Sequence, residues 1–177
     1  MTLDTRDDRT LFFDLLPIFF RAANFSFRIK VYTVPGQPVH EATRKVVLAN
    51  SDGVVFVADS AREQVDANRG AWGNLTANLA ALNLAAIPVV VQYNKRDLPD
   101  AVSLAEADRF GDPSRTLHEA SARAKVGVLP TFFALVERTW QSLDKDLKLV
   151  ERLGIDGAAF RGALAEHVGV TPDRISG

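Results

Sequence analysis

Two short apolar runs, residues 53–58 (GVVFVA) and 88–93 (PVVVQY), constrain the fold of this chain more than anything else in it. Each is almost continuously β-branched or aromatic instead of alternating with polar residues, the pattern of a parallel strand covered on both faces. Parallel neighbours need a crossover of a dozen or more residues, and 61–84 between them reads as helix. Ser60 and Glu63 stand at capping-box spacing at its start. The prediction is a βαβ unit at the centre of an α/β domain.

Upstream, 10–20 (TLFFDLLPIFF) is apolar and aromatic, and 25–34 alternates Phe25, Phe27, Ile29 and Val31 with Ser26, Arg28 and Lys30, so the two read as hairpin-linked strands. Pro35 and Gly36 stop the second strand, and a loop or short helix should follow. Downstream, a short helix is expected near 103–109, a brief strand near 116–120 and a longer helix from 130 to about 153. Asp156 can then cap a last helix whose Phe160, Leu164 and Val168 recur every four residues on one face. The fold class is α/β, a mostly parallel sheet with helices on both faces. No repeat or low-complexity linker divides the 177 residues, so one compact domain is expected, 1–153, with 154–177 an amphipathic helix and tail packed on it or extending it.

Composition narrows the function. A formal net charge of -1 gives no field that would favour nucleic acid. Without cysteine there is no disulfide framework, thiolate metal site or prenylated tail, which fits a reducing cytoplasm. The polar start and the lack of a long apolar run argue against a signal peptide, a transmembrane segment or a lipid anchor. His40, His118 and His167 are too far apart for a zinc motif.

Asn94, Lys95, Arg96 and Asp97 follow directly on the second apolar run, at the carboxyl end of a predicted parallel strand, where open α/β sheets bind ligands. A carboxylate at Asp97 can accept hydrogen bonds from N1 and N2 of guanine, a donor pair adenine lacks, while a lysine stem can lie along the base plane. Taken alone, the segment reads equally well as a polar turn ahead of Leu98 and Pro99. Further on, Glu119, Ala120, Ser121, Ala122 and Arg123 leave the next predicted strand and resemble the second base-contacting loop of Ras-like proteins. Thr33, Val34, Pro35, Gly36 and Gln37 close a strand where Ras-like proteins carry their second switch, with threonine in place of the usual aspartate.

Together with Asp8, Arg9, Thr10, Leu11, Phe12, Phe13 and Asp14, these segments resemble the MglA family, bacterial Ras-like GTPases of cell polarity and gliding motility, over roughly 8–143. The resemblance implies a Ras-like fold of the P-loop NTPase type that binds GTP or GDP with Mg2+ and hydrolyses GTP. It implies nucleotide contacts at Thr10, Gly36, Asn94, Lys95, Asp97, Ser121 and Ala122. Thr10 would approach the magnesium and γ-phosphate, Arg9 would act as a built-in arginine finger, and Gln37 would orient the attacking water. It further implies a roadblock-type GTPase-activating partner, and a cytoplasmic protein whose GTP form sits at a cell pole or against the membrane.

One expected part is missing: no glycine in the chain is followed by lysine, so no G-x-x-x-x-G-K-[ST] phosphate-binding loop is encoded. The expectation is a Ras-like domain without its first strand, phosphate loop and first helix. On one reading it is a fragment of a working GTPase with impaired nucleotide binding, produced by a misplaced start or a broken gene. On a second it is a nucleotide-free pseudo-GTPase that keeps a protein-interaction surface. A third, an unrelated α/β enzyme, would need a nucleophile or acid–base pair, and none identifies itself.

Overall fold

A computed structural model of the chain describes residues 2–3, 11–12, 14–34, 41–113, 115–171 and 174–175. The two apolar runs form β5 (Val54–Asp59) and β6 (Val89–Asn94), paired in parallel with Val54 opposite Val89 and Asp59 opposite Asn94. The brief downstream strand, β7 (Leu117–Glu119), adds to β6, giving a parallel sheet in the order β5-β6-β7. Residues of β6 are buried from Val90 to Tyr93, as a strand covered on both faces requires.

The crossover helix α2 (Val65–Ala81) packs on one face, where Trp72 meets Phe56 edge-on at 5.2 Å and stacks on Phe110 at 4.8 Å. On the other face lies α3 (Val128–Leu147), whose Thr131 accepts a hydrogen bond from the buried Gln92 amide at 2.7 Å. The alternating segment forms the expected hairpin, β3 (Asp14–Ala22) with β4 (Phe25–Thr33), and Phe20 faces Phe27 across it. A two-residue ladder joins β1 (Thr2–Leu3) to β2 (Leu11–Phe12), and α1 (Glu41–Leu48) is the short helix beyond the second hairpin strand.

The last helix, α5 (Gly157–His167), begins as predicted, with Asp156 Oδ1 accepting the Ala159 amide at 2.7 Å. Phe160 and Leu164 bury its apolar face against β3 and α3, whereas Val168 stays 37% exposed. Phe160 stacks on Trp140 at 4.2 Å and meets Phe20 and Phe27 edge-on at 5.2 and 5.0 Å. This aromatic cluster fastens the hairpin to the helices, because among the described residues the hairpin shares no strand pairing with the parallel sheet.

Three local expectations are corrected. Ser60 does not cap α2. Its amide donates to the Asn94 carbonyl and its own carbonyl accepts from Val102, its buried hydroxyl has no partner among the described residues, and a single 3-10 turn (Arg62–Gln64) leads into the helix instead. The segment 103–109 forms turns, yet it holds the reciprocal box: the Ser103 amide donates to Glu106 Oε2 at 3.2 Å and the Glu106 amide to Ser103 Oγ at 3.3 Å. The long helix is two, for Lys148 takes a left-handed conformation (φ 54) between α3 and α4 (Leu149–Leu153).

Candidate functional site

The carboxyl ends of β5, β6 and β7 lie side by side, and each releases a polar residue: Asp59, Asn94 and Glu119. The loop leaving β6 turns at once, with Lys95 in the left-handed region (φ 63), an uncommon position for a lysine that its neighbours must hold. They do so through side chains. Asn94 Oδ1 accepts the Ala122 amide at 2.9 Å, and the Ser121 hydroxyl donates to Asp97 Oδ1 at 2.5 Å. Ser121 Oγ in turn accepts the Ala124 amide at 3.2 Å, so the serine both shapes its own turn and orients the aspartate.

Gly127 allows this turn to close. Its φ is +74, and a Cβ there would stand 1.8 Å from the Glu119 carbonyl oxygen, at the end of β7. The Ser121 and Val126 amides pair reciprocally at 3.0 Å, which ties the turn into a small loop above the sheet.

The electrostatics suit a ligand with donors. The Ser121 hydroxyl, then backbone hydrogen bonding and the nearby Arg123 and Lys95 charges, hold the exposed Asp97 carboxyl below its ordinary range, so it is ionised at neutral pH. Lys95 is held above its ordinary range by its hydrogen bond and charge interaction with Asp59, whose Oδ2 lies 2.5 Å from the Lys95 amine. An ionised carboxylate beside a lysine stem and a backbone amide is a set of groups that can accept from two ring donors, cover a base plane and donate to a carbonyl.

Of the residues expected from sequence, Asn94, Lys95, Asp97, Ser121 and Ala122 therefore come together. Arg9, Thr10, Gly36 and Gln37 lie outside the described residues. Asp59 and Asn68 were missed: Asp59 fixes the lysine, and the buried Asn68 of α2 pairs with the Asp59 amide and carbonyl at 3.0 and 2.8 Å. The available signal was Asp59 ending its apolar run as Asn94 ends the other. Among the described residues no group of three or more histidine, aspartate or glutamate side chains could hold a metal ion. No helix of the described residues is long and apolar enough to cross a membrane.

A parallel α/β sheet carrying two such loops at its strand ends is the architecture of the Ras-like class. Residues 21–127 match the profile of the Arf (ADP-ribosylation factor) family, more than half of the chain. The chain is also 43% identical over 149 residues to the mutual gliding-motility protein MglA of Myxococcus xanthus (strain DK1622), covering 82% of this chain and 76% of that protein. It belongs to the ADP-ribosylation factor family of the Ras superfamily, as an MglA-like small GTPase.

Proposed function

We propose that the protein is a guanine-nucleotide switch of the MglA type, alternating between GTP and GDP forms and acting in cell polarity or gliding motility. The observation that carries this reading is the mutual hydrogen bonding of the two strand-end loops, Ser121 to Asp97 and Ala122 to Asn94. Asp97 accepts from N1 and N2 of the base, Lys95 covers its plane, and the Ala122 amide turns from Asn94 to the guanine carbonyl. Adenine lacks both the N2 donor and the carbonyl, so the same groups reject it. The residues present fit the base half of the nucleotide.

For the phosphate half, Thr10 would approach Mg2+, Gly36 the γ-phosphate, Arg9 the charge that develops there and Gln37 the attacking water. Bound GTP and Mg2+ supply the transferable phosphoryl group and the cation that neutralises it. A roadblock-type activating protein engages these segments, and the GTP form sits at a cell pole or against the membrane.

A second reading, a nucleotide-free interaction module, is favoured by the outward face of the hairpin. Leu15, Pro17, Phe19 and Tyr32 lie there with Arg21, Arg28 and Lys30, no residue of the two strands on that face carries a carboxylate, and Phe19 is 59% exposed. Such a face suits an acidic protein partner.

One experiment separates the two. A leading strand, phosphate loop and first helix of the Ras-like type are joined ahead of Thr2, and the folded chimera is titrated with fluorescent GDP against unlabelled GDP, GTP and ADP. The switch reading expects GDP and GTP to compete and ADP to fail. A folded chimera that binds no guanine nucleotide overturns it in favour of the interaction module.

A further inference from the structure

Arg96 sits inside the base-reading segment but points away from the solvent-facing groups around it, and its side chain is only 21% exposed. Its Nε donates to Glu119 Oε2 at 2.9 Å, across the gap between the β6 and β7 loops. Its Nη1 donates to the Val102 carbonyl. Its own amide donates to the Ala120 carbonyl at 3.0 Å, and the Val102 amide donates to the Ser60 carbonyl at 2.9 Å. The side chain thus ties the loop that follows β6 to Glu119 at the end of β7, and the backbone of Val102 carries the link on to Ser60, which follows β5.

We propose that Arg96 is a positioning residue of the guanine site: by bridging Glu119 and the Val102 carbonyl it sets the spacing between Asp97 and the 121–122 turn. This rests on the guanine-binding role proposed above and deepens it. The geometry needs arginine specifically. A guanidinium directs separate N–H groups to a carboxylate and a carbonyl at once, whereas a lysine amine offers a single point of charge. The bridge touches neither base nor phosphate, so its effect reaches the ligand only through Asp97 and Ala122. Loss of the bridge leaves the two loops joined only by the Ser121–Asp97 and Ala122–Asn94 bonds and the Arg96 amide, a weaker constraint on their spacing.

The test uses the full chain free of nucleotide, as wild type and as Arg96→Lys, Arg96→Ala and Glu119→Gln, and follows amide hydrogen exchange. Arg96→Ala is expected to speed exchange at the Arg96 and Ala122 amides by about tenfold, from loss of hydrogen bonds to a charged group. Amides of β5 and β6 stay within about twofold, since strand pairing is untouched. Glu119→Gln keeps side-chain size and gives a smaller effect in the same place, which keeps the proposal testable should Arg96→Ala fail to fold. Arg96→Lys restores protection only in part.

A uniform rise across β5 and β6, or no change at the two loop amides, overturns the proposal. The same proteins are titrated with GDP and with IDP, which lacks the 2-amino group that Asp97 would read. A positioning role narrows the preference for GDP over IDP in Arg96→Ala well below its melting temperature, and an unchanged preference overturns the proposal. If the wild type binds neither nucleotide, the chimera titration decides the guanine reading, and the exchange data alone decide whether Arg96 braces the loops.

Discussion

On the proposed reading Asp97 is the residue on which guanine selectivity would turn, and its surroundings fix how it responds to pH. Its folded value lies below the unfolded one, because the Ser121 hydroxyl and the nearby cations favour the charged form. The ionised group therefore contributes above the unfolded value, about 3.9, and that contribution is lost only as pH falls through the lower folded value. Guanine-nucleotide affinity in the chimera should then be flat from pH 8 to about 5 at this site. Asp97→Asn should weaken GDP roughly a hundredfold at any pH in that window, because an amide cannot accept from both ring donors. Displacement titrations across the window check both, read as the ratio of the unsubstituted protein to Asp97→Asn so that titration of the nucleotide's own phosphate cancels, and a ratio that already falls near pH 6 would sink the assignment of Asp97 to the base.

Ser60 makes the opposite case at the same scale. Its hydroxyl is fully buried and has no partner among the described residues, and a buried polar group without a partner costs about 1–3 kcal/mol. Ser60→Ala is expected to hold or raise stability, by up to about 1 kcal/mol and a few degrees in Tm. A marked drop in thermal unfolding temperature would mean that the hydroxyl has a partner after all. The sequence made Asp97, Asn94 and Ser121 legible because a motif names them. Arg96 and Asp59 were not legible as parts of the site, since their partners lie 23 and 36 residues away and depend on the order of the strands.

Elements differ in how openly the sequence declares them. The parallel strands and the hairpin were readable, because burial on two faces and burial on one leave different periods in the chain. Helix starts were harder: Ser-x-x-Glu occurs at both 60–63 and 103–106, and only the second forms the reciprocal bonds. At Ser60 the backbone continues the sheet ladder into the Val102 carbonyl–amide contact, and that context overrides the local preference. The break between α3 and α4 was invisible for another reason. No glycine or proline marks it. Asp144 makes it, with its carbonyl accepting the Lys148 amide and its carboxylate the Val150 amide at 2.7 Å. The cap of α5 was legible because Asp156 does locally what its residue type favours. Asp156→Ala should cost about 1 kcal/mol, seen in chemical denaturation as a lower midpoint with an unchanged slope. An unchanged midpoint would show that packing of Phe160 alone sets the start of that helix.

At the scale of the whole molecule, two apolar clusters divide the work. Ala58, Val91, Tyr93, Val102 and Ala107 lie between the parallel sheet and α2, close beneath the base loops. Phe20, Ala22, Phe133, Trp140, Phe160 and Leu164 lie between the hairpin, α3 and α5. Because no backbone ladder joins the hairpin to the sheet among the described residues, the second cluster is what couples them. Phe160 is its hub, in ring contact with Phe20, Phe27 and Trp140. Phe160→Ala removes a buried aromatic side chain and should cost about 3–5 kcal/mol where the cavity cannot collapse. The loss should fall unevenly: amides of β3 and β4 exchange faster, while those of β6 and of Arg96 and Ala122, held by the sheet and its loops, keep their protection. Hydrogen exchange resolved by residue reads this directly. A uniform loss would mean that hairpin and sheet unfold as one unit, so that any partner gripping the exposed Phe19 face would act on the base loops through global stability. Selective loss would mean that the hairpin can be moved by a partner while the base site stays formed, the mechanical separation a switch protein needs.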